Sequence, residues 1–200
     1  MLARKSILAL TLIGVAATLG AGPATSAERF LVYKVERIAP EQAPQIDGRL
    51  DDPVWTGRNA ISTLRNFLGP LRGEFASQRS EFVLLCDGAM LYLGITFHDE
   101  EMSRIMFNPA KPPFWNDCAE IYFDPRHDGA RNIQLVVDCG GQKFWHKMFD
   151  DGYGWWPDSS WHLLAKWDAA VVRHGDRWTV ELAIDCASFG IDPTPGKVCG

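Results

Sequence analysis

Ser80-Glu81-Phe82-Val83-Leu84-Leu85-Cys86-Asp87-Gly88-Ala89-Met90-Leu91-Tyr92-Leu93-Gly94-Ile95-Thr96-Phe97 is the stretch that decides the fold. Two apolar, strand-forming runs, 80–86 and 90–97, flank Asp87-Gly88. Asp-Gly between two such runs signals a hairpin, because these residues tolerate the positive φ that a tight turn requires. Upstream, 30–38 alternates between two faces. Downstream, 118–123, 132–139 and 142–149 read as strands, the last two separated by Gly140-Gly141. Residues 163–173 and 178–184 flank a third turn, His174-Gly175-Asp176. Strands of this length joined by tight turns predict an all-β, antiparallel β-sandwich. Helical periodicity is weak, with one short turn each at 51–55 and 185–189. Residues 99–116, with Pro109, Pro112 and Pro113, and residues 149–160 read as long loops that nevertheless carry large aromatics.

At 200 residues the chain holds one domain, with no internal repeat or linker. Residues 1–27 have the form of an export leader: Arg4 and Lys5, an apolar stretch over 7–19, then Ala-Thr-Ser-Ala ending at Ala27. The apolar stretch is shorter than the roughly 20 residues of a spanning helix. The expectation is a signal peptide at 1–27, a domain over 28–200, and a secreted or periplasmic protein with no membrane association once the leader is removed. Cleavage removes two cations and no acid, taking the formal net charge from −5 to −7. An acidic chain of this kind excludes nucleic acid as the natural partner. Cys86, Cys118, Cys139, Cys186 and Cys199 make an odd count. Export permits disulfides, but the spacing does not select a pairing. The chain stops soon after 178–184, leaving that strand without a following partner, so the last strands are expected to lie past Gly200.

Eight Trp are more than a core of this size needs. Trp55, Trp145, Trp161, Trp167 and Trp178 fall inside strands or beside a turn and read as core. Phe114-Trp115-Asn116-Asp117, just before a strand, sets two aromatics beside an amide and an acid. Tyr153-Gly154-Trp155-Trp156-Pro157-Asp158 sets aromatics and an acid together in a Gly-rich loop. Sugars present a face of C–H groups and a rim of hydroxyls, so rigid rings beside polar side chains suit them. Glu120 stands on an otherwise apolar strand, sharing a face with Cys118 and Tyr122. A carboxylate there needs a ligand or an internal partner to answer it.

Taken in order, five segments resemble the family 9 carbohydrate-binding modules, over about residues 43 to 200. Ile46-Asp47-Gly48-Arg49-Leu50-Asp51-Asp52-Pro53-Val54-Trp55 is similar to I-D-G-x-L-D-x-x-x-W. Asp87 to Leu93 is similar to D-x-x-x-L-Y-L, and Asp99 follows. Trp115-Asn116-Asp117-Cys118-Ala119-Glu120-Ile121-Tyr122-Phe123-Asp124 resembles W-x-x-D-x-V-E-I-F-I-D. Residues 132–140 resemble the family's next strand, and Trp178-Thr179-Val180-Glu181-Leu182-Ala183-Ile184 resembles W-x-V-E-x-A-I-P. The resemblance implies a jelly-roll-like sandwich, without catalysis of its own, that binds mono-, di- or polysaccharide and accompanies polysaccharide recognition or breakdown. Carried over by motif, the ligand contacts are Trp115 or Phe114, Glu120, Gln134 and Asp138. The family's second Trp would lie past Gly200, and Trp155 or Trp156 is the substitute within this chain. The chain departs from the pattern at Val136, where some members have Arg, at Asp138 in place of Asn, and at Asp185 in place of Pro. Calcium commonly stabilises such modules. The acidic turns Asp47, Asp51 and Asp52, or Asp99, Glu100 and Glu101, offer the hard oxygen ligands it takes.

Other function classes stay open on the residues alone. A glycoside hydrolase needs two carboxylates across one cleft, which Glu120 with Asp117 or Asp138 could supply. A b-type haem, as in related electron-transfer sandwiches, would use axial ligands from His98, Met102, Met106, His146 and Met148. A degenerate module would serve protein interaction.

Overall fold

The computed structural model describes residues 7–11, 33–62, 76, 78–129, 131–150, 155–157 and 165–200. Its strands are β1 (Ile7–Thr11), β2 (Glu36–Arg37), β3 (Ser80–Cys86), β4 (Met90–His98), β5 (Cys118–Phe123), β6 (Arg131–Asp138), β7 (Lys143–Asp150), β8 (Trp155–Pro157), β9 (Trp167–Arg173) and β10 (Arg177–Asp185). They form two five-stranded sheets. The first has the order β1-β5-β6-β7-β8 and the second β2-β3-β4-β10-β9. Pairing is antiparallel except for β1 with β5 and β2 with β3, which are parallel.

The period-two alternation read from the sequence sorts side chains onto two faces. Leu91, Leu93, Ile95 and Phe97 of β4 and Val180, Leu182 and Ile184 of β10 point inward from the second sheet. They meet Ala119, Ile121 and Phe123 of β5 and Ile133, Leu135 and Val137 of β6. All are essentially removed from water, each large side chain contributing about 1.5–3 kcal/mol. Trp178 stacks on Phe97 at 4.2 Å inside this core. The sandwich is therefore held by the same alternating residues that announced the strands.

The β3–β4 turn is closed by Asp87. Its Oδ1 accepts from the N–H groups of Ala89 (2.8 Å) and Met90 (2.7 Å), and its Oδ2 from the Tyr92 hydroxyl (2.8 Å). Burial alone would raise this carboxyl, but those donors outweigh it and hold Asp87 below the usual carboxylate range.

The outer face of the second sheet is covered by residues 38–55. Ile38, Val54 and Trp55 pack there on Leu85, Tyr92 and Ala183. At the centre lies Glu181, fully buried. Its Oε2 accepts from the backbone N–H of Asp47 (2.9 Å) and Gly48 (2.8 Å). Its Oε1 accepts from the N–H of Leu50 (3.2 Å) and the Trp55 indole (2.8 Å). Two distant sequence motifs, 46–55 and 178–184, are thus one structural unit. A carboxylate can be buried here because four N–H donors replace its water. Gly48 adopts φ +87°, and a Cβ there would come within 2.8 Å of the Val171 backbone. Gly94 lets Leu50 and Trp55 lie against β4, where a Cβ would come within 2.6 Å of Leu50.

The helical turns expected at 51–55 and 185–189 are a 3-10 turn at Pro53–Trp55 and a helix, α1, at Cys186–Phe189; three more 3-10 turns lie at Pro40–Gln42, Met102–Arg104 and Pro113–Trp115. Asp185, the departure from Pro, caps α1: its carboxylate accepts from Ala187 N–H, and Gly190 in the left-handed region ends the helix. β10 is bonded on both sides, to β4 and to β9, so it does not lack a partner. Within 30–38 only Glu36–Arg37 joins a ladder, while Tyr33 and Val35 pack on the core edge; residues 30–32 lie outside the described residues. Residues 155–157, read as loop, form an edge strand because β7 offers its free edge, where a Pro is tolerated. Of the stretch read as leader, only Ile7–Thr11 is among the described residues, running parallel to β5. Residues 163–164 and Trp161 lie outside them. No helix among the described residues is long and apolar enough to cross a membrane.

Candidate functional site

The outer face of the first sheet is where the candidate residues converge. In β5, Cys118, Glu120 and Tyr122 share the face opposite the core. Register then fixes their neighbours: Tyr122 stands opposite Gln134 and Gln134 opposite His146, while Glu120 stands opposite Val136 and Val136 opposite Phe144. The result is two parallel rows across β5, β6 and β7. One is Tyr122–Gln134–His146 and the other Glu120–Val136–Phe144.

Glu120, Tyr122 and Gln134 form a closed triangle of hydrogen bonds. The Tyr122 hydroxyl donates to Glu120 Oε2 at 2.9 Å. Gln134 Nε2 donates to the same oxygen at 3.1 Å and to the Tyr122 hydroxyl at 2.9 Å. The Cys118 thiol meets the other oxygen, Glu120 Oε1, at 3.9 Å. Burial, reinforced by the Glu120 charge, pushes the Tyr122 phenol above its usual value and keeps it a donor. All three side chains are half-buried, so the Glu120 carboxylate is oriented internally and still reaches the surface.

An aromatic row borders this triangle. Phe144 stacks on His146, with centroids 5.9 Å apart and an interplanar angle of 17°. Phe114 meets Phe144 edge-on at 5.6 Å and 75°. Phe114 is 36% exposed and Trp115, its neighbour, 58%. Such exposure of two large rings side by side is what a stacking surface requires.

The loop that carries these rings is fixed from beneath. Pro113 opens a 3-10 turn, Pro113–Trp115, with its ring at the first position. The Asp117 carboxylate accepts from Met106 N–H at 2.7 Å, and Asn116 Oδ1 accepts from Asn108 N–H at 2.9 Å. Asn116 Nδ2 donates to Asp138 Oδ2 at 2.6 Å. Asp138 Oδ1 takes the N–H groups of Gly140 (2.9 Å) and Gln142 (2.8 Å). Asp138 is completely buried, with both oxygens engaged. Its place in the fold is that of an anchor beneath the loop and the β6–β7 turn, not of a surface contact.

Glu120, Gln134 and Phe114 therefore come together, Trp115 adjoins them, and Asp138 lies below. Trp155 and Trp156 stand on β8, in register with Asp150 and Phe149; their side chains lie outside the description. The sequence placed Tyr122 on Glu120's face without a role, offered His146 only as a haem ligand, and passed over Phe144. The available signal was the Gly140-Gly141 turn, which sets the β6–β7 register.

In the first acidic turn Asp47 accepts from Arg49 N–H (3.0 Å) and Asp52 from Gln45 N–H (2.8 Å), while Asp51 is exposed; in the second, Asp99 accepts from Glu101 N–H (2.7 Å). Among the described residues no three His, Cys, Asp or Glu form a group that could hold a metal. The candidate haem ligands are dispersed. His98 is on the second sheet, His146 on the first, and Met102 packs against the core. Met106 pairs by backbone with Asp117, and the Met148 side chain lies outside the description.

Comparison with known proteins agrees with this architecture. Two solved structures of a carbohydrate binding module family 9 from Caldicellulosiruptor kristjanssonii are similar to the chain. The one in complex with glucose is 19% identical, with a TM-score of 0.57, covering 84% of this chain and 75% of that one. The one in complex with cellotriose is 19% identical, with a TM-score of 0.50, covering 76% and 67%. At such identity the likeness shows the fold. Among curated proteins, none matches. The family model described as carbohydrate family 9 binding domain-like matches residues 46–200, so the chain belongs to that family.

Proposed function

We propose that this chain binds saccharide units on the outer face of the first sheet, as a module without catalysis of its own. The observation that carries the reading is the hydrogen-bonded triangle of Glu120, Tyr122 and Gln134 beside the aromatic row Phe114–Phe144–His146. A pyranose ring would rest its C–H face on Phe114 or Trp115 and turn its hydroxyls to Glu120 Oε1, Gln134 and His146. The carboxylate is held ready by Tyr122 and Gln134, so little is spent on ordering it. Family membership and the glucose and cellotriose complexes of similar structures support a glucose-type ligand. Asp117 and Asp138, the acids that could pair with Glu120 in hydrolysis, are buried and bonded to the protein, which favours binding over catalysis. The proposal includes export through residues 1–27 and a role in polysaccharide recognition.

Calorimetric titration with glucose, cellobiose and cellotriose tests it. Glu120→Gln and Phe144→Ala should each weaken binding about tenfold or more, corresponding to about 1.4 kcal/mol, with the melting of Glu120→Gln little changed. Equal affinity in wild type and both variants would remove the site from this face.

A further inference from the structure

We infer that Cys86 and Cys186 form a disulfide when the protein folds under oxidising conditions. The two residues are 100 positions apart in sequence, yet the fold brings both to one end of the second sheet. Cys86 closes β3 just before the Asp87-Gly88 turn, and its sulfur accepts the Gly88 N–H at 3.3 Å. Cys186 opens α1 directly after β10, and its own N–H is bonded to Ala89 O of that same turn at 3.0 Å. Both side chains enter the main core cluster, Cys186 fully and Cys86 at its edge. The two side chains thus flank the same β3–β4 turn within one core cluster, and the neighbouring Cys86 thiol adds to the burial that raises the Cys186 thiol.

The remaining cysteines have other surroundings. Cys118 and Cys139 lie on opposite sides of the first sheet, Cys118 against Glu120 on the outer face and Cys139 in the core, against Met106 O at 3.7 Å. Cys199 sits beside Asp124 near the end of β5. The odd count is thereby resolved as one pair and three thiols.

The chemistry is thiol–disulfide exchange with a disulfide oxidant such as glutathione disulfide. The half-exposed Cys86 thiolate attacks one sulfur of the oxidant and releases a thiolate, giving a mixed disulfide. Cys186 then attacks the Cys86 sulfur and releases the second thiolate. The two thiol protons end on the two released thiols, and one disulfide is exchanged for another. Burial pushes the Cys186 thiol up to about 12, so the second step is slow once the core has closed. The bond therefore forms while the chain is folding, before Cys186 is shielded. An exported protein meets such an oxidant as it folds, and that part of the inference rests on the leader reading.

The test uses the full chain, refolded from denaturant in a glutathione buffer poised near the oxidising range, then alkylated and mapped by mass spectrometry without reduction. The expected result is three alkylated cysteines and one cross-linked peptide pair containing Cys86 and Cys186. Reduction should lower the melting temperature by roughly 10 °C, because the bond closes a loop of about 100 residues. C86A and C186A should each abolish both the cross-link and the sensitivity to reductant. Five alkylated thiols in the refolded wild type, or a cross-link between any other two cysteines, would overturn the assignment.

Discussion

Replacing Glu181 by Gln changes one oxygen into an NH2 group and leaves the shape of the side chain almost intact. In this protein the change cannot be accommodated. Each carboxylate oxygen accepts two N–H groups: Asp47 and Gly48 at Oε2, Leu50 and the Trp55 indole at Oε1. Whichever way the amide turns, its NH2 faces two donors, so two bonds to a charged acceptor are lost. Each is worth about 1.5–3 kcal/mol, and the opposed donors stay buried without water. Glu181→Gln should therefore destabilise the fold by about 3–5 kcal/mol, a large share of the roughly 5–15 kcal/mol that a domain possesses. Urea unfolding followed by Trp fluorescence measures this as a lowered midpoint with an unchanged slope. A loss below about 1 kcal/mol would refute the reasoning, because it would mean that residues 47–55 do not depend on this carboxylate for their seating.

Three further outcomes follow from the same structure. Gly48→Ala should cost at least about 2 kcal/mol, since φ +87° and a Val171 backbone 2.8 Å from the new Cβ both oppose it; urea midpoints measure it. Asp138→Ala should cost about 2–4 kcal/mol in the same assay by orphaning Gly140 N–H, Gln142 N–H and Asn116 Nδ2, and it should weaken saccharide binding through the loosened 108–117 loop. Asp87 should stabilise the fold fully above its ordinary value of 3.8 and lose that contribution as the pH falls through its lower folded value. The stability gap between wild type and Asp87→Asn, measured by urea melts at pH 5, 3 and 2, should accordingly be constant down to about pH 4 and shrink below it.

The fold was largely legible because strand formation here is a local matter. The alternation in 80–86 and 90–97, and the turn residues between them, need only neighbours to act, and β5 coincides with the run read from sequence. The site was legible in part. Glu120 stood out as a carboxylate on an apolar strand, and Phe114 and Trp115 as rings in a Pro-rich loop. Phe144 did not, and His146 did so only as a haem-ligand candidate, since neither has meaning for this site until the β6–β7 register sets His146 beside Gln134 and Phe144 beside Phe114. Asp138 shows the converse. Its motif position matched a ligand contact, but the depth of β6 in the sandwich buries it, and its charge is spent on three N–H donors.

The sequence by itself determined the class of fold, its turns and its family likeness, because alternation and the Asp-Gly and Gly-Gly pairs act over a few residues. Only the tertiary structure decided which carboxylate seats the 46–55 segment, which aromatics border Glu120, and which two of five cysteines meet. Those outcomes depend on partners 14 to 134 residues away, and the forces involved, hydrogen bonds to a buried charge and contact between side chains, act only once strand register has brought the partners within a few ångströms.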